Sequence, residues 1–150
     1  MTEVNGVLMD KTPITDFGWY EMLSNSKIEF KNSEKLELMP NQDVYIKLNR
    51  YEDFKLIDPN TKESRIGKMK LPVVGLTFQS VKYFTKWREN VINMNASKNK
   101  IILRLPLNEE VEMFLYKTNL KGYSYWLEDG SIYDEDCKLC PTTFFHIIQN

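Results

Sequence analysis

The sequence predicts one α+β domain spanning residues 1–150, with two to three short helices around small antiparallel sheets. Three observations carry that prediction. Residues 77–94 hold apolar side chains at helical spacing, residues 101–115 read as a short strand followed by a short helix, and β-branched or aromatic runs lie near both ends of the chain. Those remote strands need long-range pairing, which is why the class is α+β.

The longest helix begins after Leu71-Pro72-Val73-Val74-Gly75-Leu76, where the hydroxyl of Thr77 is placed to cap the first turn. Val81, Phe84, Trp87, Val91 and Met94 recur every three or four residues and define the face expected to pack on the core, with Lys82, Lys86 and Glu89 left to solvent. Ile101 to Arg104 has strand composition and stops at Pro106, which has no N–H to donate to a ladder. Asn108 is the expected cap of the next helix, Glu109 and Glu110 suit the positive end of its dipole as a solvated start, and Val111, Phe114 and Leu115 form its apolar stripe.

Val4 to Met9 is expected to form a first strand bending at Gly6, followed by a helix from Asp16 to about Leu23 that buries Trp19, Met22 and Leu23. Lys27 to Lys70 is less legible. Its alternating pieces, Lys35 to Leu38 and Val44 to Leu48, suggest strands, and Asp58-Pro59-Asn60 suggests a turn. Near the end, Tyr123 to Leu127 alternates as a strand, Glu128-Asp129-Gly130-Ser131 gives a hairpin signal, and Ile132-Tyr133 is the returning strand. Thr142 to Ile148 is the closing strand.

Composition narrows the function classes. A chain of 150 residues with 42% hydrophobic content has enough material for one core. The net charge of −1, with Lys and Arg dispersed among acidic residues, leaves no electrostatic footprint for nucleic acid. No apolar run reaches the ~20 residues of a membrane span, and the N-terminus lacks a charged leader with a hydrophobic segment, so the chain reads as cytoplasmic.

Three segments resemble the formylglycine-generating enzyme (sulfatase-modifying factor) family. Pro72-Val73-Val74-Gly75 through Trp87 is similar to its "P-V-V-G-V-S-W" segment and following helix, and Arg104-Leu105-Pro106 with Glu109 and Glu112 to its "R-L-P-T-E-A-E-W-E-Y" segment. Val7 to Asp16 and on to Leu23 is similar to its "D-K-T-E-V-T-N-x-x-Y-x-x-F-L" opening. The resemblance covers roughly half of the chain, in the family's order. It implies a C-type-lectin-like fold whose last strand pairs with the first, and makes Lys27 to Lys70 a peripheral insertion.

The same resemblance implies lost catalysis. Catalytic members carry "G-N-V-W-E-W" and "R-G-G-S-W" segments and a copper(I)-binding cysteine pair separated by four residues. Here Gly122 to Trp126 stands roughly where the first would be, nothing matches the second, and Cys137-Lys138-Leu139-Cys140 has two intervening residues. No residue is therefore assigned a catalytic role.

Two readings of the cysteines stay open. They are reduced thiols or a redox-sensitive pair without function, or with His146 they bind copper or zinc, possibly completed by a partner chain. His146 itself reads as a packed or edge-facing strand residue. The hairpin residues Tyr123, Tyr125, Trp126 and Asp129 are the expected contacts for a protein partner or small ligand, although alternation sends at least one face of that strand to the core. The "E-P-N" and "W-N-D" tripeptides of calcium-dependent lectins are absent. The expected function is a non-catalytic binding or adaptor domain, with a metal-dependent or redox protein as the alternative.

Overall fold

The computed structural model of the chain describes residues 1–25, 38–94, 99–118, 120, 122–134 and 140–149. Among them the fold is α+β, with five helices and two small sheets. The chain opens with β1 (Thr2–Val4) and β2 (Val7–Met9), then α1 (Asp16–Asn25), α2 (Gln42–Lys47), α3 (Tyr51–Ile57) and the long α4 (Phe78–Asn93). It continues through β3 (Ile102–Arg104), α5 (Asn108–Lys117), β4 (Ser124–Trp126), β5 (Ile132–Tyr133), β6 (Thr142–Thr143) and β7 (Ile147–Gln149).

One sheet has the order β1-β2-β7-β3 and the other β5-β4-β6. All pairings are antiparallel except β4 with β6, so the second sheet is mixed and not the antiparallel sheet expected. The opening strand is in fact a hairpin. Asn5 and Gly6 have φ of 51° and 81°, and two successive positive values make the tight turn that joins twisted strands. The last strand accordingly pairs with β2, Met9 opposite Ile147.

The expected closing strand is likewise two pieces. β6 belongs to the second sheet and β7 to the first, and Phe144, Phe145 and His146 cross between them fully buried. Phe144 joins the larger core, meeting Trp19 at 6.2 Å and Phe84 at 5.5 Å between ring centroids. Phe145 joins the smaller core, stacked 4.2 Å from Phe114 and edge-on to Tyr125 at 5.8 Å.

The helices expected at both motifs are present. Thr77 caps α4, its Oγ1 accepting from the Ser80 N–H at 3.1 Å, and Val81 and Phe84 are buried. Before α5 the cap is Leu107 and not Asn108; its N–H donates to Glu110 Oε1 at 2.8 Å. Glu110 is not solvated either. It is buried and takes two hydrogen bonds from Arg104, at 2.6 and 2.8 Å, so the charged fork holds β3 to α5.

Residues 42–57 depart furthest from expectation. Val44 to Leu48 lies in and just after a helix, not a strand, and the region is not peripheral. Tyr45 and Ile57 are fully buried in the larger core, whereas Ile46 is 52% exposed, which is helical and not alternating burial. The residues 35–37 of the other expected strand lie outside the described residues. The turn at Asp58 is present, its Oδ1 accepting from the Asn60 N–H at 2.9 Å. Asn41 caps α2 and donates its N–H to Gly75 O at 2.8 Å. Gly75 has φ of 71° and a Cβ there would lie 3.2 Å from Asn41 N, so any larger residue is strained there.

What fixes α2 and α3 against α1 is a buried polar group. The Tyr45 hydroxyl donates to Asp16 Oδ1 at 2.5 Å and accepts from the Val74 N–H, while Arg50 donates to Asp16 Oδ2 and to Pro72 O. Burial pushes the Asp16 carboxyl up to about 6, against the pull of Tyr45 and Arg50. Truncation by Asp16→Ala removes the acceptor of the buried hydroxyl and one partner of Arg50, which keeps Asp53 at 3.2 Å, so a loss of roughly 2–3 kcal/mol in urea unfolding is expected. A loss below about 1 kcal/mol would mean that the group acts like an exposed pair.

Candidate functional site

Helix α4 is longer than the core it packs on. Phe84 is 2% exposed, but Val91 is 46%, Ile92 42% and Met94 64% exposed, so the apolar stripe runs past the core edge into solvent. Of the five residues assigned to the core face, Val91 and Met94 are therefore surface residues and Trp87 is half-buried.

Two grooves meet along this stretch. One, of about 260 Å³, lies against Tyr83, Lys86, Asn90 and Met94, with Asn25 from the end of α1. The other, of about 400 Å³, runs between α4 and the segment Asp10–Thr15 that leads from β2 to α1. Trp87 and Val91 line both, so the indole stands as a ridge between the grooves.

Asp10 lines the larger groove and is held there by the crossing segment behind it. Asp10 and His146 are joined twice: Asp10 N–H donates to His146 O at 3.0 Å, and His146 N–H donates to Asp10 Oδ2 at 2.8 Å. Arg88 from α4 then donates Nη1–H to Asp10 Oδ2 at 2.7 Å and Nη2–H to Oδ1 at 2.8 Å. Asp10 is 7% exposed, so its charge is compensated almost without water.

The tautomer of His146 follows from its partners. Arg88 can only donate, so Nδ1, 2.8 Å from Arg88 Nη1, is an acceptor and the ring proton sits on Nε2. Nε2–H donates to Thr85 Oγ1 at 2.8 Å, and that hydroxyl donates to Val81 O at 2.8 Å. Burial, reinforced by Arg88 and Lys82 and opposed by Asp10, pushes the imidazole down to about 3. Both ring nitrogens of His146 are thus engaged within the chain, and the ring has no exposed surface.

The hairpin residues are placed differently from one another. Tyr125 is fully buried in the smaller core, with its hydroxyl donating to Leu120 O at 3.0 Å, so it does not face a surface partner. Trp126 packs on Phe78 at 5.6 Å and its Nε1–H points to Leu76 O at 3.3 Å. Tyr123 is half-buried against both cores. Asp129 is exposed and accepts from the N–H and hydroxyl of Ser131, at 2.9 and 2.5 Å, which shapes the turn. Neighbouring Glu128 also works internally, accepting from Leu105 N–H at 2.7 Å and pairing with Lys82 at 3.2 Å.

Cys140 is disulfide-bonded, which departs from the reduced-thiol expectation and not from that of a redox-sensitive pair, and Cys137 lies outside the described residues. Among the described residues no group of three His, Cys, Asp or Glu side chains could hold a metal ion, and no helix is long and apolar enough to cross a membrane.

Asp10, Arg88 and the exposed end of α4 were not expected as a site. No local signal separated them: Ile92 stands eleven residues after Val81 and so on the same side of the helix, and α4 reads as one apolar face.

The neutral, buried imidazole makes stability depend on pH. The unfolded chain binds a proton on His146 near pH 6.5, whereas the folded chain does so only near 3. The unfolded state therefore holds the extra proton between these values, and the stabilisation present above pH 6.5 is lost on acidification, by up to about 1.4 kcal/mol per pH unit. His146→Gln removes this dependence, while Asp16 and the other carboxylates cancel in the difference. Unfolding free energies of the two proteins should thus converge as pH falls from 6.5 toward 4, and parallel curves would contradict the assignment.

No protein-family model matches this chain, and no curated protein or solved structure matches it either.

Proposed function

We propose that the chain is a non-catalytic recognition domain that binds a protein partner or ligand at the paired grooves of Trp87. The observation that carries this is the apolar end of α4: Val91, Ile92 and Met94 stand 42–64% exposed beside two concavities that share one half-buried indole. Exposed apolar side chains gathered at a concave, aromatic-ridged surface favour association over simple solvation. The hairpin contributes less than its sequence suggests, because Tyr125 and Trp126 use their polar atoms on the chain's own carbonyls.

Kinship with the formylglycine-generating enzymes, in a C-type-lectin-like fold, is part of this proposal. It is supported by the pairing of β2 with β7, by Pro72–Gly75 leading into α4, and by Arg104-Leu105-Pro106 leading into α5 through the Glu110 fork. Lacking the family's catalytic segments, such a domain is a pseudoenzyme whose scaffold serves binding, and an adaptor fits that role.

Of the competing reading, a redox or metal protein using Cys137 and Cys140, only the redox half is favoured by an observation, the disulfide of Cys140, since an oxidised sulfur is not a thiolate ligand. The two separate by mutation. Trp87→Ala and Val91→Glu should each weaken binding of the physiological partner by about 2 kcal/mol, roughly thirtyfold, in calorimetry. Tyr123→Ala, Asp129→Ala and Cys140→Ser should leave it within about twofold. Circular dichroism identifies variants that remain folded. Unchanged affinity in folded Val91→Glu, or loss of binding in Cys140→Ser alone, would rule the groove out as the recognition surface.

A further inference from the structure

A guanidinium carries five N–H donors in one plane. In Arg88 three of them are taken: Asp10 occupies the edge spanning Nη1 and Nη2, and His146 Nδ1 takes the second hydrogen of Nη1. The two that remain, Nε–H and the outer hydrogen of Nη2, have no partner among the described residues. They are also the two that lie parallel along one edge, the geometry that matches the two oxygens of a carboxylate.

This edge is held ready. The Arg88 side chain is 25% exposed and lines the larger groove, while its two anchors are 7% and 0% exposed. A ligand therefore meets an arginine whose rotamer is already fixed, and little side-chain entropy is lost on binding.

The surroundings define the rest of the ligand. Pro13, Ile14, Trp87, Val91 and Ile92 make the groove apolar beside the fork. Its charges balance, Lys11 and Arg88 against Asp10 and Glu21, so selection rests on the directed fork and not on net attraction. A doubly charged phosphoryl group would be opposed by Asp10 and Glu21, whereas one carboxylate carries half that charge. Trp87 and Arg88 line the same groove, which suits a carboxylate placed on the residue that supplies the apolar side chain.

We infer that the larger groove receives the C-terminus of a peptide chain, with the terminal carboxylate on the free edge of Arg88 and an apolar last side chain against Trp87. This rests on reading the Trp87 grooves as a recognition surface and adds the chemistry of what they recognise.

The test is a ¹H–¹⁵N NMR titration of the intact protein with acetyl-Ala-Leu as the free acid, the same peptide as its C-terminal amide, acetyl-Glu-Leu amide, and inorganic phosphate. The free acid should shift the Arg88 Nε–H and Trp87 indole N–H resonances together, with the amide binding roughly tenfold or more weakly, as expected for loss of a charge-assisted pair. Arg88→Lys keeps the charge and removes the fork, so it should erase the preference for acid over amide; the wild-type comparison stands even where that variant does not fold. Equal binding of acid and amide at Trp87 would overturn the carboxylate assignment and leave the groove as a recognition surface. A glutamate peptide amide or phosphate matching the free acid at Arg88 would overturn the C-terminal assignment. Silence of both resonances with every probe would overturn this inference, and the groove reading would then fall only if Val91→Glu also leaves partner affinity unchanged.

Discussion

Three consecutive residues, Phe144, Phe145 and His146, have to be buried in two directions at once, and most of the molecule is arranged to allow it. In extended backbone successive side chains point to opposite sides, so Phe144 serves the core of Trp19 and Phe84 while Phe145 serves that of Phe114 and Tyr125. His146 falls back on the side of Phe144, 5.4 Å from its ring and 6.0 Å from Phe84. The segment also carries the chain from one sheet to the other, so its main-chain groups need partners outside any ladder. Ile14 N–H supplies one to Phe144 O, and Asp10 supplies a reciprocal pair to His146. Without those bonds a transition of this kind would leave buried peptide groups unsatisfied, each costing about 1–3 kcal/mol.

That requirement propagates outward. Asp10 brings a charge into a place where it is 7% exposed, and Arg88 compensates it from the neighbouring helix. Arg88 also fixes the tautomer of His146, which in turn uses Thr85 and through it the carbonyl of Val81. A structural need at the sheet crossing thus reaches α4 as a chain of donors and acceptors in which each member's role follows from what its neighbour can donate. The Asp16, Tyr45 and Arg50 group does the same for α1, α2 and α3, independently and on other elements.

Local signals in the sequence were readable where local physics decides the structure. Thr77 caps α4, Trp19, Met22 and Leu23 are the buried side of α1, and β3 stops at Arg104, shortly before Pro106. The failures lie where a distant partner overrides the local pattern. Val44 to Leu48 alternates like a strand, but Tyr45 is drawn into the core by Asp16, 29 positions away, and Asn41 starts a helix. Thr142 to Ile148 has uniform strand composition, and nothing within it marks the change of sheet. Asn5-Gly6 is a different kind of miss, since this dipeptide is itself a hairpin signal and reading it only as a bend concealed a strand pair. For the site, aromatic content drew attention to the hairpin, whereas what distinguishes Tyr125 from Trp87 is burial, which composition does not encode.

The stability of the crossing and the surface it leaves exposed are therefore one arrangement. Asp10 and His146 hold Arg88 rigidly because the fold needs its charge there, and that rigidity makes the remaining edge of the guanidinium a fixed feature of the groove and not a mobile surface cation. The connection is mechanical as well as electrostatic, since β7 pairs with β2, β2 leads directly into Asp10, and Asp10 forms the wall facing Trp87 and Val91. Any event that displaced β7 would disturb both residues that orient Arg88, His146 directly and Asp10 through β2, so the shape of the groove depends on the pairing of β2 with β7.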